Sequence, residues 1–101
     1  MSELSRVAKA LQTLEDEILV RMASRGAGPE HCFWLKGLVD EDFSYDLVRT
    51  LVRGLSARGL AFYARGLFND DGEVAGSGYG LTEEGLRHVS SLIEAEGEAR
   101  A

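Results

Sequence analysis

Leu4, Val7, Ala8, Leu11, Leu14, Ile18 and Met22 recur at steps of three and four. That spacing lines one stripe of an α-helix, so a first helix is predicted from about Ser2 to Ser24. The run Arg25-Gly26-Ala27-Gly28-Pro29 ends it, because Gly26 tolerates the left-handed backbone that closes a helix and Pro29 suits the first position of the next. A short second helix is predicted from about Pro29 to Val39, and its dense apolar residues Phe33, Trp34, Leu35 and Leu38 place it in the core against the first. Asp40-Glu41-Asp42-Phe43-Ser44 reads as an acidic turn in which Asp42 or Ser44 caps a third helix running to about Arg58. Leu47, Val48, Leu51, Val52 and Leu55 form its inner face, Asp46, Arg49, Thr50, Arg53 and Ala57 its outer one, and Gly59 stops it.

Past Gly59 the period changes from helical to alternating. Leu60 to Phe68 is aromatic-rich and reads as a strand, Asn69-Asp70-Asp71-Gly72 supplies a turn, and about Glu73 to Leu81 returns as a second strand loosened by Gly76, Gly78 and Gly80. Thr82 caps a last helix, about residues 82–96, with Glu83 and Glu84 in its first turn and Leu86, Val89 and Ile93 inward. From Glu94 onward the chain is polar and is expected to fray. The expected class is therefore α+β, mainly α: three helices, a two-stranded hairpin and a C-terminal helix.

At 101 residues and 45% hydrophobic content the chain is expected to form one domain over residues 1–101. No apolar run approaches the roughly 20 residues of a membrane span, and Met1 to Arg6 does not read as a signal sequence. With a single cysteine, Cys32, there is no internal disulfide to form, and a cytoplasmic location is expected. The net charge of -6 has the wrong sign for a surface that attracts phosphates throughout. Between Ser44 and Gly66, however, four arginines (Arg49, Arg53, Arg58, Arg65) face one aspartate (Asp46), a local +3 that leaves -9 for the remainder.

The order helix, helix, turn, helix, hairpin, helix resembles the winged helix-turn-helix superfamily, particularly the small bacterial and phage regulators grouped around MarR and PadR. Leu51-Val52-Arg53-Gly54-Leu55-Ser56-Ala57-Arg58-Gly59-Leu60 is similar to the "L..L...GL" that leads from a recognition helix into the wing. Gly80-Leu81-Thr82-Glu83-Glu84-Gly85 is similar to the "Y.LT..G" that leads from the wing into the final helix. The resemblance spans about residues 2 to 93 and implies a helix-turn-helix over about 29–58, a wing over about 60–81, and duplex DNA binding by a transcriptional regulator whose third helix enters the major groove.

On that reading Arg49 and Arg53 lie one turn apart, where a guanidinium can pair with guanine or a phosphate, and Thr50 between them can meet a thymine methyl or a phosphate. Lys36 is placed to steady the backbone, and so is Arg65 on the first wing strand. The competing readings are a solvated helix face with an Asp46 to Arg49 or Asp46 to Thr50 contact, and an Arg65 that neutralises Asp70 or Asp71. Arg58 is expected to pack its stem along the core.

Cys32 reads as a small buried hydrophobe, Trp34 and Phe33 as core, and His88 as lying on the outer face of the last helix. No metal-ligand set, nucleophile arrangement or phosphate loop is recognisable, so neither catalysis nor a cofactor is expected. Val20 and Leu92 fall away from the apolar stripes and mark a candidate homodimer interface. The acidic tip Asp70-Asp71-Gly72-Glu73 and the overall charge support an alternative, a winged-helix adaptor or inhibitor whose arginines meet an acidic protein partner.

Overall fold

The computed structural model describes residues 3–32, 34–65 and 77–100, with the backbone alone for Ser77 and residues 98–100. Its elements run α1 (Glu3–Ser24), a 3-10 turn (Leu35–Leu38), α2 (Tyr45–Ala57), β1 (Ala61–Arg65), β2 (Ser77–Leu81) and α3 (Glu83–Arg100). The architecture is α+β and mainly helical, with a single antiparallel hairpin among the described residues.

The caps explain where the helices stop and start. At the end of α1, Ala27 N donates to Met22 O and Gly26 N to Ala23 O, with Gly26 at φ 91°. At the end of α2 the same pair of bonds recurs, Leu60 N to Leu55 O and Gly59 N to Ser56 O, with Gly59 at φ 78°. Both are left-handed glycine closures in which the next residue, Ala27 or Leu60, turns inward to the core. Ser44 opens α2 by accepting from Leu47 N at 3.3 Å, and Thr82 opens α3 by accepting from Gly85 N at 3.0 Å while donating to Gly59 O at 2.7 Å.

Helix α2 is the centre of the molecule. Val48, Leu51, Val52 and Leu55 are fully buried and meet Ile18, Leu19 and Met22 of α1, Leu38 of the 3-10 turn and Leu81 of β2 in one cluster. Each such side chain contributes about 1.5–3 kcal/mol. Glu15 is buried too, at 7% exposure, and its carboxylate lies over Gly54 and pairs with Arg58 at 2.8 Å. The missing side chain at Gly54 makes that room, which accounts for a glycine inside a helix at a cost of about 0.5–1 kcal/mol.

The predicted second helix does not form. Gly28 and His31 exchange backbone hydrogen bonds across Pro29 and Glu30, a tight turn that uses proline's fixed φ to reverse the chain rather than to start a helix. Beyond it only the four residues Leu35–Leu38 coil, between extended backbone at Trp34 and Val39. The Arg25 guanidinium donates to the Gly37 carbonyl and holds this turn against the end of α1. Leu35 and Leu38 are buried, as their density predicts, but burial there comes from a pinned loop. Phe33 lies outside the described residues.

The hairpin pairs Ala61 with Leu81 through Arg65 with Ser77. The predicted wing tip, Asp70 to Glu73, and the flanking ends of both predicted strands lie outside the described residues. Helix α3 runs to Arg100 where fraying was predicted from Glu94, since alanine, glutamate and arginine are strong helix formers even without an apolar face. Among the described residues no helix is long and apolar enough to cross a membrane.

Candidate functional site

Tyr45, Arg49 and Arg53 stand at i, i+4 and i+8 on α2, so they share one stripe beside the buried face. Tyr63 and Arg65 alternate on β1 with the same parity as buried Ala61, and Tyr79 stands opposite Tyr63 on β2. These two surfaces, closed at one end by Trp34, Leu35 and Lys36, enclose a cleft of about 960 Å³. Four of the five residues predicted to contact nucleic acid, Lys36, Arg49, Arg53 and Arg65, therefore line one concavity.

Among the described residues, no carboxylate lines that cleft. Among the described residues Arg49 and Arg53 have no ion-pair partner, and the predicted Asp46 to Arg49 contact is not made. Four like charges facing one low-dielectric wall add their potentials, which concentrates anions there despite the net -6 of the chain. The walls between them are aromatic: the Tyr63 and Tyr79 rings meet edge to face at 5.4 Å, and the Arg65 guanidinium lies 5.9 Å from the Tyr63 centroid. The alternative partners of Arg65, Asp70 and Asp71, lie outside the described residues.

Thr50 is the candidate that the cleft leaves out. It is exposed next to Arg49, and its hydroxyl donates to the Asp46 backbone carbonyl at 2.9 Å. The predicted Asp46 to Thr50 contact is thus made through the main chain.

Several expectations need correcting. Arg58 does more than pack its stem, since it neutralises Glu15 at 2.8 Å and reaches Asp16 at 3.8 Å. His88 is not on an outer face: its Nε2 lies 3.0 Å from Asp16 Oδ1, because α3 crosses α1 there. Trp34, expected in the core, is half-buried at the cleft wall because the backbone around it is extended. Cys32 is half-buried beside Gly80, and burial pushes its thiol pKa up, away from nucleophilic use. Apart from these corrections, Val20 of the candidate dimer interface is half-buried against this chain's own core, and Leu92 is half-buried.

Tyr45, Tyr63 and Tyr79 carry the cleft's aromatic character and were not singled out in the sequence. The signals were present: Tyr45 precedes Arg49 by one turn, and Tyr63 shares the parity of Arg65. Their convergence depends on the packing of α2 against β1, which no local pattern encodes.

Remote from the cleft, Asp40 ties the loop before α2. Its carboxylate accepts from Asp42 N and Phe43 N, both at 2.9 Å, and pairs with the Arg21 guanidinium, which also lies over the Phe43 ring at 4.5 Å. The hydrogen bond from Arg21, followed by that from Phe43, holds the Asp40 pKa below its ordinary value. No group of three or more histidine, cysteine, aspartate or glutamate side chains converges among the described residues. Compared with protein-family models, curated proteins and solved structures, the chain matches none.

Proposed function

We propose that this chain is a duplex DNA-binding domain of winged-helix type, used as a small transcriptional regulator, with α2 as the element that enters the major groove. The observation that carries the reading is the convergence of Lys36, Arg49, Arg53 and Arg65 on a cleft that, among the described residues, no carboxylate lines. In this arrangement Arg49 and Arg53 read base edges or grip phosphates, exposed Thr50 stands beside them, and Lys36 and Arg65 hold the sugar-phosphate backbone. The glycine closure of α2 and the hairpin that follows support the same layout, since they set β1 directly against the cationic stripe.

The aromatic lining favours a second reading, in which the cleft takes an acidic segment of a protein partner. Trp34, Tyr45, Tyr63 and Tyr79 offer flat apolar area that an acidic peptide with aromatic residues would fill as well as a phosphate backbone.

A fluorescence titration of a mixed-sequence duplex pool at two salt concentrations separates the two. If four cations each neutralise a phosphate, log K falls against log salt with a slope of about -3.6, and Arg49→Ala/Arg53→Ala removes roughly half of it. Absence of binding even at low salt would contradict the DNA reading and leave the acidic-segment reading in its place.

A further inference from the structure

Binding of a closed duplex uses the cations of the cleft and leaves its rings without a role. Tyr45 and Tyr63, on opposite walls of the recess, are 49% and 50% exposed, so each presents flat apolar area to whatever fills it. Both walls set a ring beside a cation. On α2, Tyr45 precedes Arg49 by one helical turn, about 6 Å along the axis. On β1, Tyr63 precedes Arg65 by one strand repeat, about 7 Å along the strand. Tyr79 backs Tyr63 edge to face at 5.4 Å, a contact that braces the Tyr63 ring and still leaves half of that residue open. A nucleotide has the same alternation, a flat base next to a charged phosphate. A closed duplex does not offer it, because its bases stack on one another and show only their edges in the grooves. The shape agrees: a helix enters a groove as a ridge, whereas this recess is a hollow of about 960 Å³, at the upper end of the roughly 300–1,000 Å³ of sites that enclose small planar groups.

We infer that the cleft takes unstacked bases of one DNA strand, with the bases against Tyr45 and Tyr63 and the phosphates on Lys36, Arg49, Arg53 and Arg65, so that the preferred target is a duplex opened over a short segment. The inference rests on the reading of the cleft as a nucleic-acid face and adds the form of DNA that fills it. Thr50, exposed on the outward side of α2, stays with the flanking duplex while the recess beside it holds the opened strand. Charge selects a strand over an uncharged aromatic ligand, since the four cations of the lining meet no carboxylate among the described residues. Every base has a flat face, so stacking in the recess tolerates all four and adds affinity without adding sequence preference.

Fluorescence anisotropy of the full chain with three labelled duplexes that share their flanks tests this. One is fully paired, one carries a short central bubble of unpaired bases, and one carries the same bubble without its bases. The base-bearing bubble is expected to bind about tenfold more tightly than the paired duplex, within the range for a base stacked on an aromatic side chain. The abasic bubble, equally flexible, is expected to fall back to the paired value. Tyr45→Ala/Tyr63→Ala is expected to remove the preference for the bubble and leave affinity for the paired duplex unchanged, and Tyr45→Phe/Tyr63→Phe, which keeps both rings, to retain it. Circular dichroism checks that the variants are folded, and the abasic arm needs only the unaltered chain. Equal affinity for the base-bearing and abasic bubbles overturns the inference and leaves the duplex reading standing, as does a bubble preference that Tyr45→Ala/Tyr63→Ala leaves intact. A base-bearing bubble bound through the tyrosines while the paired duplex is not bound supports the inference and contradicts the duplex reading. Absence of binding to all three at low salt overturns both.

Discussion

Arg58 and the pair Arg49 and Arg53 belong to one helix and its cap, yet they occupy opposite electrostatic settings. Arg58 turns toward α1, where buried Glu15 and half-buried Asp16 neutralise it. Arg49 and Arg53 turn toward the hairpin, where Tyr45, Tyr63 and Tyr79 supply rings and no carboxylate among the described residues lines the wall. An arginine satisfied by a buried acid is committed to the fold, because its removal strands a charge. One held at an aromatic wall without an acid remains available to an anion from outside. In a chain of net charge -6, the separation of these two sides of α2 keeps the acidic majority from cancelling the cleft.

The largest expected effect tests the cleft side. Arg49→Ala/Arg53→Ala should weaken binding to a selected duplex by about 100-fold, at the common loss of 1 to 3 kcal/mol per base- or phosphate-reading arginine. Its thermal stability should stay within about 0.5 kcal/mol of the parent, as for other exposed substitutions. Equal loss of stability would erase the distinction between the two sides.

Arg58→Ala is the mirror experiment. It should cost about 2 kcal/mol in denaturant-induced unfolding, less than the about 3–5 kcal/mol of a fully buried pair because Arg58 is itself partly in water. Duplex affinity measured at a temperature where the variant is folded should not change. Adding Glu15→Leu should recover most of the lost stability, since the stranded carboxylate is then gone.

Lys36→Ala and Arg65→Ala sharpen the cleft side further. Each should weaken all duplex sequences about uniformly, by roughly threefold to tenfold, and lower the salt slope by about 1. A sequence-dependent loss at either position would move that residue from backbone contact to base reading.

The smallest effect concerns Asp40, which lies outside both regions. Its folded pKa is depressed, so its contribution is present in full above the ordinary aspartate range and is lost as pH falls through the folded value. Asp40→Asn should therefore lower stability slightly at neutral pH and flatten the loss of stability below about pH 4. An unchanged acid profile would show that Arg21 and the backbone amides of Asp42 and Phe43 do not couple to its titration.

Much of this was legible in local sequence. Gly26 announced a left-handed closure and Gly59 a helix stop, Asp42 or Ser44 and then Thr82 announced caps, and the stripe from Leu4 to Met22 announced a helix; each signal acts over one turn, and each element formed. The stretch from Pro29 to Val39 misled because apolar density reports burial rather than helicity, and the Gly28–His31 turn and the Arg25 contact to Gly37 set its conformation instead. Arg58 was placed toward the core, but its ion pair was not legible, because its partner Glu15 lies 43 positions away on another helix. In the site, charge was readable and concavity was not. Arg49 and Arg53 follow from helical spacing, while the four aromatic walls require α2, β1, β2 and the extended backbone at Trp34 to be in place together.

The most direct measurement is amide and indole chemical-shift mapping of the isotope-labelled chain during addition of a short duplex. The account predicts perturbations concentrated on Trp34, Leu35 and Lys36, on Tyr45 through Arg53, and on Tyr63 and Arg65, with the outer half of α1 silent. Perturbations confined to α1 and α3, or none at low salt, would contradict the assignment of the cleft as the nucleic-acid face.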